Sequence, residues 1–179
     1  VYSGEVPTID LAIAGAPART LFHGGDTVTF TAKRSTTTDL AAVPWTWRVA
    51  LHHNDHQHPD ITDLPAPSGA YEIPVDNHGG ATTIRYRFTL TMHTNTGQTV
   101  TVVRDLMPEM TTFEVRTNPV GAGLALVEEV VTPTPATIEA IVGDEWHLQA
   151  MPELVMGRSV YRFTGWHTPA STAGTDPAL

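Results

Sequence analysis

Apolar and polar positions alternate through much of this chain. In Asp26-Thr27-Val28-Thr29-Phe30-Thr31-Ala32, the residues Val28, Phe30 and Ala32 share one face and the threonines share the other. The longest run is 83–93, where Ile84, Tyr86, Phe88, Leu90 and Met92 alternate with Arg85, Arg87, Thr89, Thr91 and His93. A period of two puts successive side chains on opposite faces, so each run predicts a strand with one buried face. Residues 45–53 give a third strand. Trp45, Trp47, Val49, Leu51 and His53 fall on one side, and Thr46, Arg48, Ala50 and His52 on the other. Trp47 is the expected buried indole of that strand. Weaker strands are expected at 9–14 and 71–75. Asn95-Thr96-Gly97-Gln98 reads as a hairpin turn into a strand at 99–104.

No amphipathic helical stretch accompanies these strands. Strands separated by turn-rich loops predict an all-β protein, with an antiparallel β-sandwich over residues 1–109 and a smaller β-domain over 110–179. In the second part, short strands are expected at 112–116, 124–130, 137–142, 146–150 and 160–166. The turns between them carry Asn118-Pro119, Gly121, Gly123, Pro133, Pro135, Gly143-Asp144 and Gly157. Glu128-Glu129 is read as a charged strand edge, where charge discourages edge pairing. The tail from Thr168 is built of Ala, Thr, Gly and Pro and is expected to fray.

Composition narrows the picture. The chain has 179 residues, of which only 16% are charged, and a formal charge of −9. Thr, Gly and Pro are abundant and Lys33 is the single lysine, a profile that points to an extracellular or periplasmic protein. An acidic surface repels phosphate backbones, so nucleic acid is excluded as the expected partner. The chain holds no cysteine, which removes disulfides and thiolate metal sites. No apolar run approaches a membrane span. The first residue is Val and no secretory signal is present, so a processed chain or a piece of a longer one is expected.

Four of the nine histidines fall in His52-His53-Asn54-Asp55-His56-Gln57-His58-Pro59. In an extended chain, His56 and His58 project to the same side, about 7 Å apart at Cα. That suits two imidazoles converging on one zinc or copper ion. His53 stands just before them at a strand end. His52 and His53 face opposite sides, so only one joins easily unless the strand bulges. Asp55, Asp60 and Asp63 are candidate oxygen ligands or orienting partners, and His23 and His78 could fold in from other loops. The expected metal set is His53, His56, His58, His52 and Asp55. The competing reading is a polar loop whose histidines bond to backbone and cap the sandwich end. Calcium is the weaker candidate, because no D-x-D-x-D-G loop exists. No H-E-x-x-H, G-x-S-x-G or Walker spacing is present, which leaves hydrolase and nucleotide chemistry without support.

Two segments resemble a known pattern. Phe22-His23-Gly24-Gly25-Asp26-Thr27-Val28-Thr29-Phe30, followed by Trp45-Thr46-Trp47-Arg48-Val49-Ala50-Leu51 and the histidine stretch, is similar to C-terminal modules of bacterial secreted glucose/sorbosone dehydrogenase-like proteins. Val1-Tyr2-Ser3-Gly4 looks like a last propeller strand running into such a module. Arg116-Thr117-Asn118-Pro119-Val120-Gly121 up to Tyr161-Arg162-Phe163-Thr164-Gly165-Trp166 is similar to a small repeat of the PEGA type. The resemblance covers roughly residues 2–166. It implies an Ig/PKD-like sandwich plus a PEGA-like β-domain, although the W-D-F-G-D-G turn of ordinary PKD domains is missing. The catalytic propeller of that family, which uses pyrroloquinoline quinone, does not fit in 179 residues beside these strands. The quinone is therefore not expected in this chain.

The remaining candidates are aromatic and basic. Trp166 is the candidate sugar-stacking residue, while Trp45 and Trp47 alternate with Val49 and Leu51 and are expected in the core, as are Tyr161 and Phe163. Arg85 and Arg87 form an outward basic pair, for which a solvated sheet face with cross-strand pairing is the plainer reading. Asp26 and Asp105 are expected at turns or strand ends. The leading expectation is a non-catalytic extracellular accessory module. It would attach to a glycan or cell-surface polymer, a neighbouring subunit or a parent catalytic propeller. Two alternatives remain: an assembly subunit of a filament or surface layer, and a His-ligated metal enzyme.

Overall fold

The computed structural model describes residues 6–33, 44–76, 83–93, 97–121, 123–128 and 130–168. The chain divides into two compact units: Val1–Pro74 with Ala81–Glu109, and Val75–Gly80 with Met110–Leu179. The described residues contain strands and turns but no helix. The chain is thus all-β, and its first unit is a sandwich.

Among the described residues, eight strands build the first unit: β1 (Thr8–Ile13), β2 (Leu21–Phe22), β3 (Thr27–Lys33), β4 (Trp45–His53), β5 (His56–Leu64), β6 (Ser68–Glu72), β7 (Arg85–His93) and β8 (Thr99–Pro108). They form a three-stranded sheet, β1-β3-β6, and a five-stranded sheet, β2-β8-β7-β4-β5. Pairing is antiparallel except between β2 and β8, which run parallel. Alternation sets the core. Val28, Phe30 and Ala32 of β3 are fully buried, as are Trp47 and Val49 of β4 and Phe88 and Leu90 of β7. Phe30 joins the two sheets: its ring centroid lies 4.7 Å from that of Trp47 and 5.5 Å from that of Phe88. The Trp47 indole N–H donates to the Ala66 carbonyl at 2.9 Å, so the buried ring leaves no polar atom unpaired.

Gly69 stands opposite Phe30 in the β3–β6 register. A Cβ added there would meet Phe30 Cε2 at 2.6 Å and Leu64 Cδ2 at 2.7 Å. The missing side chain is the space that the Phe30 ring fills.

β5 is a strand where the sequence suggested a loop. It lies at the edge of its sheet, where Pro59 costs no ladder hydrogen bond. Its register against β4 slips between Trp47↔Leu64, Val49↔Ile61 and Ala50↔Pro59. Each slip adds one residue on β5 and so forms a β-bulge. The bulges bring Ile61 and Leu64, three apart, opposite core residues of β4.

Among the described residues, seven strands build the second unit: β9 (Met110–Val115), β10 (Leu124–Val127), β11 (Val130–Pro133), β12 (Ala136–Ile141), β13 (Leu148–Ala150), β14 (Glu153–Met156) and β15 (Ser159–Arg162). The pairings are β11-β10-β13, β12-β9 and β14-β15. Val115, Ala125 and Val127 form its core, with Phe113, Ile138, Trp146 and Leu148 half-buried around them. The single strand expected at 124–130 is two strands, because Glu128 takes a left-handed φ of 48° and turns the chain between Val127 and Val130. Glu128 is therefore a turn residue rather than a strand edge, and Glu129 lies outside the described residues. Phe163, expected in the core, is 44% exposed. The expected turn residues Asn95 and Thr96 and the expected tail from 169 onward lie outside the described residues.

Candidate metal centre

Asn54 and Asp55 form a two-residue turn between β4 and β5. Asn54 adopts φ 52°, a left-handed conformation that Asn tolerates better than most residues. Its N–H donates to Thr83 Oγ1 at 3.0 Å, which anchors the turn. The register that follows is His53↔His56, His52↔Gln57 and Leu51↔His58. Residues directly opposite each other in an antiparallel pair project to the same face. His53 lies on the face of Leu51 and Val49, so His56 and His58 share that face as well. Three histidines thus come together just past the end of the apolar core.

Their geometry is close. One nitrogen from each of His53, His56 and His58 falls within 4.8 Å of the other two. The Nε2 atoms of His53 and His58 are 2.9 Å apart, a hydrogen bond in which one ring nitrogen donates and the other accepts. Their rings stack at 5.0 Å with an interplanar angle of 10°. His56 meets His53 edge to face at 4.0 Å. His53 is half-buried, while His56 and His58 are exposed.

Neutral imidazole nitrogens are ligands for zinc and copper, and calcium prefers oxygen. Two nitrogens bound to zinc at about 2.1 Å and the tetrahedral angle stand roughly 3.4 Å apart. The His53–His58 pair has only to open by about half an ångström to reach that spacing. The residues present therefore fit a zinc or copper ion.

The other expected ligands are placed elsewhere. His52 faces the opposite side of β4, opposite Arg85 in the ladder and beside Arg87. Burial, with Arg87 and Arg85 next to it, holds its imidazole below the usual histidine value. Asp55 is at the turn with its side chain 99% exposed, and its carboxylate lies 3.4 Å from His56 Nδ1. It falls outside the three-nitrogen group. Asp60 sits beside Tyr71 and hydrogen-bonds with it; burial first, then Tyr86 and Asp60, push the Tyr71 phenol well above its usual value. Asp63 is exposed on β5. His23 accepts from Arg19 at Nδ1 and donates from Nε2 to Glu109 at 2.7 Å, while Asp26 takes Arg19 and the His23 N–H. His78 lies outside the described residues.

Asp105 is neither a turn nor a strand end. It lies within β8 opposite Arg87 and accepts two hydrogen bonds from that guanidinium, both at 2.8 Å. The Arg87 bonds hold the Asp105 carboxyl below the usual carboxylate range. In the second unit, Trp166 is 42% exposed and packs edge to face on Phe163 at 5.3 Å.

The sequence reading found the shared side of His56 and His58 but missed that both belong to a strand. The available signal was Asn54-Asp55 between two histidine pairs, a pair suited to a two-residue hairpin turn. The link from His23 to Glu109 spans 86 positions and leaves no local signal.

No family model, no curated protein and no solved structure matches this chain. No helix among the described residues is long and apolar enough to cross a membrane.

Proposed function

We propose that the chain is a non-catalytic binding module whose β4–β5 hairpin holds one zinc or copper ion on His53, His56 and His58. The observation that carries this reading is the convergence of three imidazole nitrogens within 4.8 Å. A transition-metal ion needs several such donors at once, and the register of one hairpin provides them. The exposure of His56 and His58 favours binding over catalysis, because bulk water screens the charges that a reaction centre has to stabilise. An extracellular accessory role, attaching a larger assembly to a glycan or cell-surface polymer, follows from the sequence resemblance to secreted sugar dehydrogenases. The half-exposed Phe163–Trp166 pair gives that role an aromatic surface of the kind on which sugars stack.

The test is elemental analysis and calorimetric titration of protein purified without chelator or metal-affinity resin. One equivalent of zinc or copper is expected. Affinity in His56→Ala/His58→Ala should fall by at least about 100-fold, since two of three donors are gone. His52→Ala should bind as the natural chain does, because its ring faces away. Equal binding by the double variant would sink the proposal.

A further inference from the structure

Three donors leave a tetrahedral ion one position short. Among the described residues, the group that gathers on one point is His53, His56 and His58, without a carboxylate. The nearest acid, Asp55, has a side chain that is 99% exposed and touches only the outer His56 ring, 3.4 Å from its Nδ1, outside the three-nitrogen group. His56 and His58 are exposed and His53 is half-buried, so the floor of the site is protein and its outer side is water.

The hairpin also has contacts of its own that do not involve the three histidine rings. The β4–β5 ladder, the Asn54–Thr83 hydrogen bond and the burial of Trp47, Val49 and Leu51 on the same strand hold the histidines in place. A structural zinc site has the opposite character: four protein ligands, a closed shell, and folding that depends on the metal.

The charge of the site indicates what would fill the gap. Three neutral imidazoles cancel none of a divalent ion's charge, so the bound centre keeps its full positive charge at a solvent-facing position. Resting on the metal-binding reading above, we infer that the metal centre is open, with three histidines and one exchangeable position that takes a carboxylate-class anion from outside the chain.

Cobalt(II) tests this, because its visible absorption reports coordination directly. The full chain is loaded with cobalt and titrated with sodium azide, then with sodium acetate as the simplest carboxylate. His58→Ala and His52→Ala run in parallel as the ligand and non-ligand variants. The expected result is one bound cobalt, lost in His58→Ala and kept in His52→Ala. Its absorption band should shift saturably with azide, and acetate should compete for the same change.

If cobalt binds through these histidines but the band does not respond to excess azide, the shell is closed. The openness is then overturned while metal binding stands. Asp55→Asn identifies one cause of that outcome: a response that appears only in this variant means Asp55 turns inward as the fourth ligand. Failure to bind cobalt, zinc or copper at all overturns both readings.

Discussion

The two units use the same strand grammar at very different depth. The first buries large rings between two sheets: Phe22, Phe30, Trp47, Tyr86 and Phe88 are each no more than 1% exposed. The second has only Val115, Ala125, Val127, Ala140 and Ile141 as buried apolar side chains among its described residues, and its aromatic residues are half-buried or exposed. Val130, Val131, Val155, Val160 and Phe163 stay on its surface. Burial of apolar area is the main favourable term in folding, so the first unit is the stiffer scaffold. The histidine triad sits on that unit, with His53 on the strand of Trp47 and His56 and His58 on the strand paired with it. The difference shows why an exposed group can still be well positioned: rigidity comes from the row of core residues beneath it.

Truncating a core ring in each unit is the most forceful way to break this comparison. Phe88→Ala is expected to cost about 3–5 kcal/mol and Phe113→Ala about 1–2 kcal/mol, since the second ring is only half-buried. Denaturant unfolding, with amide exchange followed separately in each unit, measures both. Equal costs would erase the contrast.

Gly69→Ala tests the tightness of the first core at one point. The added methyl collides with Phe30 and Leu64, so a loss of about 1–3 kcal/mol is expected. A neutral result would mean that the Phe30 ring has room to move, and that the sandwich is looser than its burial implies.

The smallest expected effect is electrostatic and belongs to the second unit. Burial, with the Asp76 charge beside it, pushes the Asp144 carboxyl up to about 7 from 3.8. The folded form therefore holds this proton more tightly than the unfolded chain does. Its stabilising contribution is complete below about pH 3.8 and is lost as pH rises through about 7. After allowance for solvent screening, the change is about 1–2 kcal/mol. Thermal melts of the natural chain and Asp144→Asn across that window are the check. The natural chain should lose stability with rising pH, and the variant should lose less. Parallel profiles would remove Asp144 from the account.

How much of this was legible in the sequence depended on whether the period of two survived. β7 carries unbroken alternation and β4 carries it except at Ala50, which is buried although it was assigned to the polar side; both strands and their inward faces were readable from it. β5 was not readable, because its two bulges place Ile61 and Leu64 three apart while Pro59, Asp60 and Asp63 resemble loop chemistry. The histidine cluster was half legible for the same reason. The common side of His56 and His58 is local, whereas the position of His53 opposite His56 depends on a turn that the period cannot show. Phe163 and Glu128 failed in another way. Alternation marks which residues share a face but does not show whether anything covers that face, and one left-handed residue is enough to split a strand.

The hairpin register has a consequence for how this site tolerates change over time. All three donors lie within six consecutive positions, so insertions or deletions elsewhere in the gene leave their spacing untouched. A single codon added between Asn54 and Asp55 has a different effect. If the pairing takes up the extra residue as a shift by one, every side chain of the strand goes to the other face, and His56 and His58 part from His53 with no histidine altered; only a three-residue loop would keep the register. The two-residue turn is the narrowest point of inheritance in the site.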